Sequence, residues 1–348
     1  MKLDEQTFDA YVVQEIAADN TAGGKPVYQG AIAQRKVADL PAGEILIRVA
    51  FSSLNFKDAL SSAGNKGVTR QYPHTPGIDA AGVVAESTDA GFAAGDEVIV
   101  IGYDLGMNTA GGFGQYIRVP AGWVVKRPAG LTLAESMIIG TAGFTAALCV
   151  DKLLQNGLRP EQGPVLVTGA SGGVGSFAVA LLAQLGYEVT AMSGATAMSG
   201  STASHDFLRG LGAHDIIGRE DYTDVSPKPM SKELWAGAVD VVGGDILFNV
   251  VKSLKYGGSV ACCGLVASPQ FQASVFPFIL RGVNLLGVDS VNLPLAHKRK
   301  VWEKLATQWK LSHLPALETR LGMTELGDAL ASVLRGESTG RLVLDLSA

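Results

Sequence analysis

The stretch Val165-Leu-Val-Thr-Gly-Ala-Ser-Gly-Gly-Val-Gly175 constrains the fold of this chain more than any other. Val165, Leu166 and Val167 are an apolar, β-branched run of strand length, and the residues from Val174 to Leu185 carry the apolar spacing of a helix. A strand, a glycine turn and a helix in that order aim the free N–H groups of the first helical turn, with the positive end of the helix dipole, at an anion. A pyrophosphate fits. Gly172, without a Cβ, lets the backbone approach phosphates, and Gly175 lets the helix pack on the strand, while Ala170 stands where a first glycine is usual. A glycine turn by itself is equally the sign of an ordinary surface connection. The long helix after it and a second apolar strand at Glu188–Met192 favour a dinucleotide site.

A chain of 348 residues exceeds one small core and is expected to form two domains. Glu44–Phe51, Gly82–Glu86, Glu97–Gly102 and Tyr116–Pro120 are short Val- and Ile-rich segments between Gly, Asp and Pro turns, so the first part reads as β-rich, a partly open barrel. From Leu133 the pattern turns helical, and a boundary falls near Met137. Beyond the glycine turn, His214–Gly218, Ala238–Val242, Gly258–Gly264 and Asn284–Val291 continue an alternation of strands and helices that implies a doubly wound sheet. Leu295–Trp309 reads as a helix, with Lys298-Arg-Lys300 as its solvated face. Thr339–Asp345 reads as a closing strand that returns to the first domain.

Charge and cysteine usage narrow the function classes. A net charge of −5 with 18% charged residues offers no basic field for nucleic acid. Cys149, Cys262 and Cys263 form neither a disulfide framework nor a metal spacing, which suits a reducing cytoplasm. The N-terminus has acids and no apolar targeting run, and no uninterrupted apolar run reaches membrane-spanning length, so no membrane partner is expected.

Several blocks together carry a family resemblance: Ser52-Ser-Leu-Asn-Phe-Lys-Asp-Ala-Leu60, Pro76-Gly-Ile-Asp-Ala-Ala-Gly82, Met137-Ile-Ile-Gly-Thr-Ala-Gly-Phe-Thr145, Thr168–Ser176, Pro277-Phe-Ile-Leu-Arg281 and Gly287-Val-Asp-Ser290. Over nearly its whole length the chain resembles the medium-chain dehydrogenase/reductase superfamily, its zinc-free quinone oxidoreductase branch, and within that the bacterial acrylyl-CoA reductase group. The resemblance implies a GroES-like β-rich catalytic domain (1–137 and 293–348) with an inserted Rossmann NADP-binding domain (138–292). It further implies a homodimer, paired through the strand Asn284–Val291 at the sheet edge. Zinc-dependent members are expected to hold catalytic metal at the positions of Asn55, Ile78 and Thr141, none of which is Cys, His or a carboxylate here. Between Gly91 and Tyr116, where a four-cysteine lobe would fall, there is no cysteine. His74, His205, His214, His297 and His313 show no ligand spacing and read as surface or loop residues.

Without metal, the implied chemistry is hydride transfer from a nicotinamide to an activated alkene: an enoyl-CoA such as acrylyl-CoA, an enone or a quinone. Asn55 is the candidate donor to the developing enolate oxygen, and Asp58 the candidate to orient its loop or hold a proton-bearing water. The competing reading is that both bond their own loop backbone. Phe56 is placed as a wall against the nicotinamide or as a core aromatic. By resemblance, Thr141, Ser171, Gly172, Gly173, Val174, Leu265, Ile279, Ser290 and Arg341 are cofactor contacts; Leu265 and Ile279 would otherwise be core residues. Ser193 and Gly194 end the second strand without the acid that NAD sites usually place there. The arginine that related reductases carry next is replaced by Ala195, or by Ser201 in the second copy of the duplicated hexapeptide Ala191–Thr196 and Ala197–Thr202. Arg219 is then the candidate cation for a 2′-phosphate, or a surface partner of Glu220, Asp221 or Asp224. NADPH is the expected cofactor. A non-catalytic NADPH-binding protein on the same fold is the rival from another class.

Overall fold

A computed structural model of the chain describes residues 3–16, 26–194, 201–223 and 228–347. The hexapeptide copies, with Ala195, and Asp224 lie wholly or partly outside these residues. The chain divides into two compact units, one of residues 1–141, 291–308 and 314–348, the other of residues 142–290 and 309–313.

The first unit begins with an antiparallel pair, β1 (Thr7–Ile16) and β2 (Val27–Lys36), which sequence patterning did not single out. Strands β3 (Ile45–Ser53), β4 (Asp79–Ser87), β5 (Glu97–Ile101), β6 (Tyr116–Val119) and β7 (Val124–Lys126) then build the main sheet, with the short helix α1 (Phe56–Ser62) between β3 and β4. Alternate residues of these strands meet inside: Ile45, Ile47 and Val49 of β3 pack with Val98 and Val100 of β5 and Ile117 of β6.

Helix α2 (Leu133–Gln155) is interrupted by non-helical backbone at Gly140, next to the division between the units. By length and composition alone it could cross a membrane, but its apolar run is bounded by Ser136 and Asp151, and 78% of its most apolar window is buried in the protein. In the second unit, β8 (Val165–Thr168) leads into helix α3 (Gly173–Gln184), followed by β9 (Val189–Ser193), β10 (Asp215–Gly218), β11 (Trp235–Asp240), β12 (Leu254–Cys262) and β13 (Asn284–Gly287). Their order, β10-β9-β8-β11-β12-β13, all parallel, is that of a doubly wound dinucleotide-binding sheet. Residues on both faces of β8 are buried, which is why it reads as an unbroken apolar run. The chain ends in the first unit with β14 (Glu318–Leu321) and β15 (Arg341–Asp345), the latter antiparallel to β3.

One side chain departs from its sequence reading, and one loop histidine lies deeper than a surface position. Lys298, on the helix Leu295–Ala306, is fully buried rather than solvated: its Nζ donates to the carbonyls of Ile101 at 2.7 Å and Val291 at 3.1 Å and lies 3.5 Å from the centre of the Tyr103 ring. The aromatic face and two carbonyls replace the water that a buried ammonium would otherwise lose. His74 is a loop residue but not a surface one; its Nε2 is bonded to the Gly106 carbonyl, and burial holds its pKa below the usual imidazole value.

Candidate active site

In the first unit the chain stops being extended at Ser53, and Asn55, with φ −131° and ψ 159°, caps α1. The Asp58 carboxylate reaches back to accept the Asn55 N–H at 2.8 Å, the return half of a capping box. Fully buried, Asp58 also accepts the N–H groups of Gly77 at 3.2 Å and Ile78 at 2.9 Å, so one side chain ties α1 to the loop that enters β4. Burial first, and Asp79 second, push its carboxyl up to about 7, against the lowering effect of its N–H donors.

Asp79, the first residue of β4, is equally buried and is the hub of the site. Its carboxylate accepts Ser53 Oγ at 2.6 Å, Asn55 Nδ2 at 2.8 Å, the Thr141 N–H at 2.9 Å and the Thr141 hydroxyl. Arg341, at the start of β15, is 2% exposed. It donates from Nε to the Ile138 carbonyl at 3.0 Å and from Nη1 to the Leu54 carbonyl at 3.3 Å and Asn55 Oδ1 at 3.5 Å. Its Nη2 stands 3.9 Å from Asp79 Oδ2 with no hydrogen-bond partner. Burial pulls the guanidinium below its ordinary value while Asp79 and Asp58 oppose the shift, and an arginine stays charged under such a balance.

The structure therefore brings Asn55, Asp58, Thr141 and Arg341 together and adds Asp79 and Ser53, which sequence reasoning missed. The signal for Asp79 was present: an acid between Ile78 and Ala80 at the head of an apolar strand has to be paired. Asn55 and Thr141 are half-buried, whereas Asp58, Asp79, Ser53 and Arg341 are closed off. One N–H of the Asn55 amide goes to Asp79, and the other makes only long contacts, 3.3 Å to the Ser53 carbonyl and 3.4 Å to Asp58. Phe56 is half-buried on α1.

The second unit carries the nucleotide turn. Gly169 at φ 58° bends the chain out of β8, and Ser171, Gly172, Gly173 and Val174 lie partly open at the head of α3. A Cβ on Gly175 would sit 2.2 Å from the Gly169 carbonyl oxygen, which is the close helix–strand approach read from sequence. A Cβ on Gly172 would meet the Gly169 carbonyl oxygen at 3.5 Å, an ordinary contact. At the end of β9, Gly218 of β10 pairs with Ser193, and a Cβ on Gly194 would lie 3.2 Å from Arg219 Nη1. The exposed guanidinium thus rests against the strand end, and no ion pair ties it to Glu220 among the described residues. Ser290 is buried and takes part in a 2.8 Å bond with the Thr145 hydroxyl. Leu265 and Ile279 are not core residues: they are 55% and 68% exposed.

Residues 41–129 match the family model described as the alcohol dehydrogenase GroES-like domain, and residues 173–309 match the one described as zinc-binding dehydrogenase. The acrylyl-CoA reductase AcuI of Ruegeria pomeroyi is 43% identical over 92% of this chain and 95% of its own. The chain belongs to the medium-chain dehydrogenase/reductase superfamily. Another relative, the putative quinone oxidoreductase YhfP of Bacillus subtilis, is 44% identical over 96% of this chain and 98% of its own. Its structure with NAD bound superposes with a TM-score of 0.90, at 42% identity over 98% of this chain and all of that one. The yhdH oxidoreductase of Salmonella enterica, in complex with NADP, gives a TM-score of 0.89 at 39% identity, covering 97% of this chain and 99% of that one. Membership makes this chain an oxidoreductase with a GroES-like and a Rossmann-type domain.

The zinc named by one family description does not fit the residues of this member. Asn55 and Thr141 are both engaged with Asp79, and Ile78 is a buried hydrocarbon, so the set offers an amide, a hydroxyl and a methyl-bearing chain in place of soft ligands.

Proposed function

We propose that the protein is an NADPH-dependent, zinc-independent reductase of activated C=C bonds, with acrylyl-CoA or another short 2-enoyl-CoA as substrate. The observation that carries this reading is the network Asn55–Asp79–Arg341, which presents a half-buried amide donor, backed by a fixed carboxylate and a buried guanidinium, where zinc-dependent members place a metal. The names of the acrylyl-CoA reductases that the chain resembles support the substrate class, and the NADP of the Salmonella relative supports the cofactor.

The turn before α3 and its first residues, Ser171 to Val174, hold the pyrophosphate, and Arg219 beside Gly194 faces the 2′-phosphate. When bound there, the dihydronicotinamide would supply a hydride to the β-carbon of the acceptor, leaving an enolate whose α-carbon takes its proton from water. Asn55 Nδ2 donates to the carbonyl oxygen of the substrate as negative charge collects on it, and Asp79 and Arg341 hold that amide without reorganising. A quinone or general enone reductase is the second reading, favoured by the name of the Bacillus relative, since the same donor serves any conjugated carbonyl. We place the enzyme in the cytoplasm, as its three unpaired cysteines suggest, and infer a homodimer through the open edge of β13.

Steady-state NADPH oxidation against acrylyl-CoA, crotonyl-CoA, a small enone and a quinone, with and without a chelator, tests the assignment. Fastest turnover with acrylyl-CoA, insensitive to the chelator, is expected. Uptake of NADPH without oxidation by any acceptor would leave a binding protein and sink the proposal.

A further inference from the structure

The backbone of α2 takes φ 50° and ψ −161° at Gly140, a conformation that side-chain-bearing residues rarely adopt. A Cβ at this position would lie 2.4 Å from Ser53 Oγ, 2.6 Å from Asp79 Oδ2 and 2.8 Å from Arg341 Nη2. The helix is broken directly over the buried network, at a residue small enough to fit there.

The break decides where the next residue points. In an unbroken helix the Thr141 N–H would be spent on the carbonyl of Met137, four residues earlier. Instead it donates to Asp79 Oδ2 at 2.9 Å, and the Thr141 hydroxyl donates to Oδ1 of the same carboxylate. One residue therefore grips both oxygens, and Asp79 stands as an anionic cap on the helical segment that starts at Thr141. From Oδ2 the constraint passes on to Asn55 Nδ2 at 2.8 Å. Without the hydroxyl, Oδ1 loses its hold, the carboxylate can turn about its Cβ–Cγ bond, and the plane of the Asn55 amide turns with it.

We propose that Thr141 is a positioning residue for the reduction, holding Asp79 so that Asp79 holds the Asn55 amide in the orientation that meets the substrate oxygen. The proposal rests on the reading of Asn55 given under Proposed function, and it assigns Thr141 to the turnover step rather than to dinucleotide affinity, where family resemblance alone would put it.

Thr141→Val keeps the shape and the backbone N–H and removes the hydroxyl; Thr141→Ala serves the same comparison if valine is not tolerated. The expected result is a kcat lowered about tenfold, the size of one charge-assisted hydrogen bond. The KM for NADPH and its Kd from fluorescence titration should stay within about twofold, and Thr141→Ser should recover most of the rate. Combined with Asn55→Ala, the loss should be far from additive, because both changes disable one chain of contacts. A wild-type kcat in Thr141→Val, or a weakened NADPH Kd with kcat unchanged, overturns the proposal, the second outcome making Thr141 a cofactor contact. Asn55→Ala at full activity beside a slow Thr141→Val overturns the role of Asn55 and, with it, this one. Full additivity in the double variant refutes the coupling while leaving the assigned reaction intact.

Discussion

Asp58 and Asp79 lie equally deep, yet their surroundings differ in kind. Asp58 accepts the N–H groups of Asn55, Gly77 and Ile78, which lower its pKa, but burial first and the neighbouring Asp79 second outweigh them and push its carboxyl up to about 7. Its folded-state value stands above the value of about 3.9 expected when unfolded. The stabilisation from holding a proton is therefore complete below about 3.9 and is lost as pH rises through about 7. Asp58→Asn should remove this dependence and, by turning an acceptor into a donor opposite Asn55, cost about 1–3 kcal/mol at neutral pH. Denaturant midpoints across pH 4 to 8, on the order of this titration window, check both effects; an unchanged slope in the variant would show that Asp58 is not the titrating group. Arg219 poses the cofactor question at the same scale, because it is the described cation at the end of β9. If it faces the 2′-phosphate, its contact is worth about 1.5–3 kcal/mol, roughly tenfold to a hundredfold in affinity. Arg219→Ala should raise the KM for NADPH and barely move that for NADH. Equal weakening of both cofactors would make Arg219 structural.

Among the elements, those with a local signature were legible and those defined by a partner were not. The run Val165–Val167 announced β8, and the glycines after it announced the start of α3, because strand burial and turn geometry are written in adjacent residues. The closing strand was legible for the same reason, but the role of its first residue was not. Arg341 became part of the site only because β15 pairs with β3, with Val343 opposite Ser53, and so sets the guanidinium beneath Asn55. Helix α2 shows the opposite failure. Its apolar composition marks it as one continuous helix, while Gly140 in a positive-φ conformation divides it and turns Thr141 to Asp79. The sequence offers Gly-Thr at that point and no sign that a carboxylate from residue 79 lies above it. Lys298 fails in the same way: a basic cluster on a helix is normally solvated, but the Tyr103 ring and the carbonyls of Ile101 and Val291 make its burial tolerable.

For the whole molecule, the open question is assembly. Among the described residues, strand β13 pairs with β12 alone, and Leu285 on it is exposed, as are Val266, Val275, Phe276 and Leu280 in the segments before it. An apolar, unpaired strand edge is a site for self-association. Sedimentation at micromolar protein should give twice the 36.2 kDa chain mass, and Leu285→Lys should shift it toward the monomer. A monomer in the unmodified protein would remove the dimer. Two units, a dinucleotide sheet and the absence of zinc ligands at Asn55, Ile78 and Thr141 were determined by sequence alone, since strand runs, glycine turns and ligand chemistry are properties of residues and their spacing. The tertiary structure decided that Asp79 is the hub, that Asp58 is spent on backbone N–H groups, and that Arg341, Asn55 and Thr141 share one buried carboxylate. Those contacts join residues up to 286 positions apart. Burial and hydrogen-bond partnership at such separations are set by which strands pair, a property of the folded chain and not of any local stretch of it.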